Sequence, residues 1–319
     1  MALNFALIES VTQDFYVPKL EDAIYESSAL LTMLRRDGRV QRTGTDIKLP
    51  LLYAKNTARG RYSGYDVLDT TPPDNITAAQ FELKNYYASV SISGDDERKN
   101  SGDRAVLKIL QSKMADAENT LKDLVGTDLF TGTTHIIGLD SAIGTTNTYG
   151  GIDGNTYSWW RSTVDTTAHT GANMLDSTNA SYIHKLLRAG YKACRHLGNV
   201  PNLIVTSQDI YDIYEQTLQV NARYNMSARG QFLADAGFSV IEFRGIPIVV
   251  DDFVDDSADA MYMLNTNFMD LWIHPDANFK FSGFVRPGNQ DARTGQILFS
   301  GQLTISNRRM FARWSDLNN

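Results

Sequence analysis

The strongest pattern along the chain is a run of apolar residues at helical spacing between Ser101 and Gly126. The spacings of three and four link Val106, Ile109, Leu110, Met114, Ala117, Leu121, Leu124 and Val125. Ser101 or Asp103 can cap the start of a helix, and Gly126 can end it. The spacing predicts a single helix of about 23 residues, roughly 35 Å long.

A shorter helical stripe lies near the beginning of the sequence. Residues 1–17 look extended, and Pro18 is tolerated in a first helical turn. Apolar residues follow at helical spacing, and Gly38 suits the end of the helix. This segment predicts one helix on an extended arm.

Residues 45–93 contain two strand-like stretches, and the second has a mostly alternating set of apolar residues. The stretches "TDIKLPLLY" and "QFELKNYYASVSIS" flank about 25 residues rich in Gly, Arg, Tyr, Asp and Pro. We expect a long hairpin with an elaborate tip. Because a two-stranded ribbon is only marginally stable alone, it should lie on another surface.

The second half of the chain alternates between helices and strands. A helical face from Tyr182 to Leu197 precedes the short apolar strand "NLIVT", and Ser207 opens another helix. Six further strand-like segments follow, ending in the long "GQILFSGQLTISNRRMFARW". The whole pattern predicts an α+β fold in which an α/β subdomain is inserted between a long helix and late strands.

Composition narrows the functional classes. The chain has 319 residues, is 42% hydrophobic and carries a formal charge of −7. An acidic chain is a poor candidate for binding DNA through its phosphates, which requires clustered Lys and Arg. Cys194 is the single cysteine, so no internal disulfide can form and a reducing compartment is expected. The opening lacks signal-peptide features, and no apolar run is long enough for a membrane span.

The usual catalytic signatures do not occur in the sequence. It contains no phosphate-binding glycine loop, no H-E-x-x-H and no Cys-x-x-Cys pair. Cys194 and His196 would point roughly 200° apart on a helix, so they do not form a thiolate–imidazole pair. We therefore expect a protein that is not an enzyme and that needs no metal or cofactor.

The acidic run "DDFVDDSADA" permits two interpretations. Asp251, Asp252 and Asp255 could supply oxygen ligands to a hard cation, as in a metal-dependent hydrolase. The spacing does not match an EF-hand loop. A solvated acidic turn after a strand is the favoured interpretation.

The predicted hairpin tip combines basic and aromatic residues, namely Lys55, Arg59, Arg61, Tyr62 and Tyr65. Such a combination can bind nucleic acid, or it can be an ordinary solvated loop. It can also contact an acidic patch on a neighbouring copy of the chain, and the acidic residues Asp95, Asp96 and Glu97 offer such a patch.

The stretch "YGGIDGNTYSWWRSTV" places Trp159 and Trp160 in a segment with neither helical nor strand periodicity. Tryptophan is usually well buried. A ligand platform, a local core and a contact between copies of the chain are the three candidate roles.

The order of elements and the sequence of this segment together resemble the major capsid proteins of tailed phages, whose fold is named for phage Hong Kong 97. "LFTGTTHIIGLDSAI" followed by "YGGIDGNTYSWWRSTV" is similar to the amino-acid sequence that follows the spine helix in one branch of that family. The resemblance implies an α+β Hong Kong 97-like fold with five parts. These are an N-terminal arm with a helix (1–44), an E-loop hairpin (45–94), a spine helix with the first part of the peripheral domain (95–178), an axial α/β domain (179–262) and closing peripheral strands (263–319).

The resemblance also implies a function. Copies of the chain would form pentamers and hexamers that close into an icosahedral shell around double-stranded phage DNA, without reading its sequence. A separate scaffolding protein and a portal are the implied partners, because the arm helix begins within about 20 residues. Assembly would take place in the bacterial cytoplasm, with no membrane involved, and the shell would become the virion capsid.

Two alternatives stay open at this stage. The shell of a bacterial nanocompartment shares the fold and encloses an enzyme cargo. The aspartate-based hydrolase is the less favoured alternative. Given the resemblance, Trp159 and Trp160 are interpreted as local core and subunit-edge packing. The Lys–Asn crosslink of some relatives is not expected, since nothing near Lys55 or Lys84 identifies its partner.

Overall fold

The computed structural model describes residues 25–44, 46–71, 74–95, 103–166, 182–218, 226–255, 259–315 and 317, with the backbone alone for 103–111 and 182. Its helices are α1 (Ala29–Arg36), α2 (Asp103–Thr131), α3 (Leu139–Ala142), α4 (Tyr182–Cys194), α5 (Gln208–Gln216) and α6 (Ala228–Asp235). Its strands are β1 (Val40–Arg42), β2 (Ile47–Leu52), β3 (Ile76–Phe81), β4 (Lys84–Ser93), β5 (Thr148–Tyr149), β6 (Ile152–Asp153), β7 (Thr163–Asp165), β8 (Leu203–Thr206), β9 (Val240–Phe243), β10 (Ile246–Val250), β11 (Met261–Leu264), β12 (Met269–Ile273), β13 (Lys280–Phe281), β14 (Ala292–Ile305) and β15 (Ala312–Trp314). No helix in the described ranges is long and apolar enough to cross a membrane.

The long helix α2 lies along a five-stranded sheet. In that sheet β1, β12, β14 and β13 are neighbours in this order, and β4 also pairs with β14. Alternate residues of β4 are buried and join the apolar face of α2 in the main core. The Tyr86 hydroxyl of β4 also donates to Asp128 of α2 at 2.5 Å. The long helix thus packs on the sheet to which the late strands β12, β13 and β14 belong, and β4 of that sheet contacts it directly.

The α/β subdomain is built on a six-stranded sheet with the order β7-β15-β11-β8-β10-β9. The residues of β8 are buried on both faces. On one face, Ile204 and Ile248 pack with α4 and α5. On the other, Val205 and Val249 share the main core with Leu233 of α6. Helices therefore cover both faces, which agrees with the predicted insertion of an α/β unit into an α+β fold.

The glycine expected to end the long helix does not end it. Helix α2 continues through Gly126 to Thr131, and its final turn closes where the Gly132 amide donates to the Asp128 carbonyl at 3.0 Å. A Cβ on Gly126 would lie 2.5 Å from the Phe253 ring. The absence of a side chain at Gly126 lets Phe253 approach the helix, so this glycine serves packing.

Two predicted strands are each divided in the structure. The stretch 80–93 breaks after Phe81, so β3 stays in the hairpin while β4 joins the five-stranded sheet. The closing stretch breaks after Ile305, and β15 crosses into the other sheet between β7 and β11. Thus β7 and β15 complete the α/β sheet although they lie outside its predicted range, 179–262.

The arm helix ends where the sequence indicates. Gly38 has a φ of +66°, and the Arg39 amide donates to the Leu34 carbonyl at 2.8 Å. Ser28 caps the start of α1. The predicted extended arm, residues 1–17, lies outside the described residues.

Candidate functional site

The candidate site is the hairpin of β2 and β3, here called the ribbon, together with the loop between them, here called the tip (residues 53–75). The strands pair antiparallel from Ile47 opposite Phe81 to Leu52 opposite Ile76. One face of the ribbon is buried and carries Ile47, Leu51, Ala79 and Phe81. Leu52 and Ile76, at the end nearest the tip, are exposed.

The ribbon rests on the glycine-rich stretch of its own chain. The Gln80 amide donates to the Gly150 carbonyl at 3.0 Å, and the Phe81 and Tyr149 rings meet edge to face at 4.9 Å. Gly150 has a φ of +60°, and a Cβ there would lie 2.8 Å from the Cβ of Ala79. The ribbon therefore has the supporting surface that the sequence required.

The two tryptophans connect this support to the core. Trp160 is 2% exposed, and its indole nitrogen donates to the Tyr149 carbonyl at 3.0 Å. Trp159 is half-buried and stacks on Tyr53, with ring centroids 5.3 Å apart. Both rings thus pack within the subunit, one in the core and one under the ribbon. A role at the subunit edge stays a prediction.

Arg308 connects the segments that surround the two tryptophans by hydrogen bonds. It is fully buried, and its guanidinium donates to the carbonyls of Ala142, Gly144 and Trp160 at 2.7 to 3.0 Å and to Asn147 Oδ1 at 2.7 Å. Burial lowers the pKa of Arg308 to about 10. Sequence inspection missed this residue, although a basic side chain inside the predicted closing strand is a signal that could have indicated it.

Beyond Tyr53, which stacks on Trp159, the predicted residues of the tip are exposed to solvent. Lys55, Arg59 and Arg61 are exposed, Tyr62 is 69% exposed and Tyr65 is fully exposed. The tip is shaped by short-range turns, such as the Ser63 amide donating to Asp66 Oδ2 at 2.8 Å. The structure therefore brings all five predicted residues into one projecting loop.

Two apolar residues of the tip were missed by sequence inspection. Val67 is 98% exposed and Leu68 is 58% exposed. Large apolar side chains grouped on one exposed loop are typical of an interaction surface. Together with the tyrosines, they make the tip more apolar than its basic residues suggested.

The predicted acidic patch falls largely outside the described residues. Asp95 is exposed just beyond the end of β4, whereas Asp96 and Glu97 are not described. The pairing of the basic tip with this patch on a neighbouring copy stays a prediction.

Of the three aspartates considered as metal ligands, Asp251 is buried, whereas Asp252 and Asp255 are exposed. Asp251 is 3% exposed and accepts from the Ser28 hydroxyl at 2.5 Å and from the Leu30 amide at 3.4 Å. It therefore caps the arm helix α1. Burial raises the pKa of Asp251, and the hydrogen bond from Ser28 opposes that rise. The described residues contain no group of three or more potential metal-ligating side chains.

Cys194 occupies a position in the α/β core. Its side chain is fully buried, and this burial raises the pKa of the thiol to about 12. A thiol with a raised pKa is a poor nucleophile, which agrees with the expected core cysteine.

Comparison with solved structures places this architecture among shell proteins. No protein-family model matches the chain, and no curated protein matches it in sequence. The capsid of cyanophage A-1(L) is 19% identical, with a TM-score of 0.63 over 88% of this chain and 91% of that chain. The capsid of the Myoviridae phage XM1 is 14% identical, with a TM-score of 0.55 over 89% and 92%. An encapsulin complex from Synechococcus elongatus is 8% identical, with a TM-score of 0.51 over 89% and 87%.

At these identities the comparisons show the fold. The predicted Hong Kong 97-like fold is confirmed over about nine-tenths of the chain. Because phage capsids and an encapsulin have this fold in common, the fold by itself does not separate the two kinds of shell.

Proposed function

We propose that this chain is the repeating subunit of a tailed-phage capsid, which assembles through pentamers and hexamers into an icosahedral shell around double-stranded DNA. The observation that carries the proposal is the fold in common with phage capsids over about nine-tenths of the chain. The role is structural and not enzymatic, and it takes place in the virion after assembly in the bacterial cytoplasm.

The ribbon and its tip support the same proposal. A projecting loop that exposes Tyr65 and Val67 buries little apolar surface within its own subunit. Seating those side chains on a neighbouring copy would remove them from water, which contributes about 1.5–3 kcal/mol for each large apolar side chain. Interfaces that are weak singly become strong when each subunit makes several of them.

The experiment is electron microscopy of the purified full chain, expressed alone and then with the candidate scaffolding protein. Closed shells, tubes or rings of five and six subunits are the expected products. A uniform population of monomers or dimers under both conditions would contradict the proposal.

A nanocompartment shell is the second candidate, since an encapsulin also has this fold. The contents of shells isolated from the native source separate the two. Double-stranded DNA inside them supports the phage capsid, and a protein cargo without DNA supports the nanocompartment.

A further inference from the structure

A cavity of about 600 Å³ lies at one corner of the α/β subdomain, far along the chain from the ribbon. Helix α4 and the loop after it form one wall, and the β9–β10 turn forms the other. Its charged lining is basic throughout: Arg188, Lys192, Arg195, His196 and Arg244. Although the chain has a net charge of −7, three arginines and one lysine lie together in this lining.

Local helix chemistry accounts for only part of this cluster. Lys192 and Arg195 lie near the C-terminal end of α4, where the helix dipole favours cations. Arg188 lies a turn earlier on the same face, and like charges at this spacing destabilise a helix. Arg244 belongs to another element, so its presence in the cavity is independent of the dipole of α4.

No carboxylate in the described part of the chain neutralises the four cations. Arg188, Lys192, Arg195 and Arg244 are all exposed to solvent. Together with burial, the charge of Arg188 lowers the pKa of His184 one turn away. The cluster is therefore free to bind an anion.

Arg244 is held at the cavity rather than left free in solvent. Its guanidinium carbon lies 5.3 Å from the centroid of the Tyr191 ring and 5.5 Å from that of Phe243. These cation–π contacts restrict the side chain while its remaining N–H groups stay available. The cavity thus contains a partly ordered arginine opposite the flexible basic side chains of α4.

The backbone around the cavity adopts uncommon conformations. The described residues include four non-glycine residues with positive φ, and two of them line this cavity: Leu197 at +47° and Arg244 at +54°. Each is followed by a glycine with positive φ, Gly198 at +84° and Gly245 at +78°, because both pairs form two-residue hairpin turns. Leu197 is also 80% exposed at the rim.

We propose that this cavity binds a compact oligophosphate, a ligand with two or more linked phosphate groups. Arginine matches phosphate because its planar guanidinium donates two parallel hydrogen bonds, and the site offers three arginines and a lysine. The cavity volume lies in the range of small-molecule sites, whereas duplex DNA requires an extended basic surface. All of the lining residues belong to one subunit.

The test is isothermal titration calorimetry of the full chain with inorganic tripolyphosphate, ATP and a single-stranded oligonucleotide. Tripolyphosphate is expected to bind in the micromolar range with one site per subunit. Similar affinity for ATP indicates recognition of the phosphates alone, and tighter binding of ATP indicates a contribution from the nucleoside. Both results support the proposal.

Arg188→Gln and Arg244→Gln are each expected to weaken tripolyphosphate binding about tenfold. Arg309→Gln is the matched control, because Arg309 is also exposed but lies outside the cavity. Thermal unfolding of each variant checks that the fold is retained, and Arg195→Gln replaces any variant that does not fold. Equal binding by the cavity variants and the control would overturn the proposal. No binding of tripolyphosphate, or much tighter binding of the oligonucleotide, would overturn it as well.

Discussion

At the scale of single residues, Arg308 is a buried charge with four hydrogen bonds to groups of its own subunit. Its guanidinium donates to three backbone carbonyls and one side-chain amide, and among the described residues it forms no ion pair with a carboxylate. Removing one partner of a buried hydrogen bond leaves the other desolvated and unpaired, which costs about 1–3 kcal/mol for each group. The buried arginine therefore determines how the tryptophan stretch sits beneath the ribbon.

Arg308→Met should lower the free energy of unfolding by about 3 kcal/mol or more, because its carbonyl acceptors lose their donors. Urea denaturation followed by tryptophan fluorescence measures the change. Arg309→Met is the control, since the neighbouring side chain is exposed, and its effect should stay within about 0.5 kcal/mol. Equal stability of the two variants would contradict the structural role of Arg308.

The raised pKa of Asp251 should make the free energy of unfolding depend on pH. Burial raises the pKa of its carboxyl above the ordinary 3.8, so the folded chain binds the proton more tightly than the unfolded chain. The stability contributed by this group is therefore largest below the unfolded pKa and is lost as pH rises through the folded pKa. Asp251→Asn removes the titration.

The measurement is the free energy of unfolding of wild type minus that of Asp251→Asn, from about pH 4 to about pH 7. This difference should decrease as pH rises. Asp252→Asn, at an exposed neighbouring position, serves as the control and should give a nearly constant difference. A flat profile for Asp251→Asn would show that its pKa is not raised.

At the scale of elements, helix α2 depends on the missing side chain of Gly126. In an exposed helix interior, Gly→Ala stabilises by about 1 kcal/mol. Here the new Cβ would overlap the Phe253 ring. Gly126→Ala should therefore destabilise the subunit, and the same change in a Phe253→Ala background should stabilise it. The two unfolding free energies test this reversal of sign, and a stabilising single substitution would contradict it.

The same helix shows how far the sequence alone could lead. The spacing of apolar residues along α2 and the alternation along β4 are local, so both elements were predictable. Gly126 looked like a helix end because a glycine that makes room for a distant ring has the same local appearance as one that ends a helix. Asp251 likewise looked like part of a solvated turn, since its partner Ser28 is 223 residues away.

The ribbon was predictable as a hairpin but not in its attachment. Its alternating strands and basic, aromatic tip were evident in the sequence. Its resting place on Gly150 and Tyr149 depends on contacts between segments far apart in the chain. The exposure of Val67 also depends on the fold, because only a tip that projects from the body leaves an apolar residue without cover.

At the scale of the whole molecule, we expect substitutions in the tip to impair assembly without changing the stability of the folded subunit. Tyr65→Ser with Val67→Ser removes two exposed apolar side chains that contribute little to the core. The unfolding free energy of the subunit should change by less than about 0.5 kcal/mol, while the yield of closed shells should fall severely. Electron microscopy and sedimentation measure the yield.

Tyr65→Phe with Val67→Ile is the matched control, since it keeps the apolar surface of the tip. This variant should assemble like wild type. Normal shells from the serine variant would show that these side chains do not form the contact between subunits. Failure of both variants to fold would show that the tip contributes to the subunit itself.

Strand β15 is made late in synthesis but occupies an internal position in its sheet. It lies inside the six-stranded sheet, and β7, made about 150 residues earlier, pairs with β15 alone among the described strands. A nascent chain therefore cannot complete this sheet until Trp314 has left the ribosome. Until then the sheet presents unpaired edges and uncovered apolar surface, which is the state that chaperones bind. The pairing of β7 and β11 through β15 is therefore a late event in synthesis, which follows the completion of both of those strands.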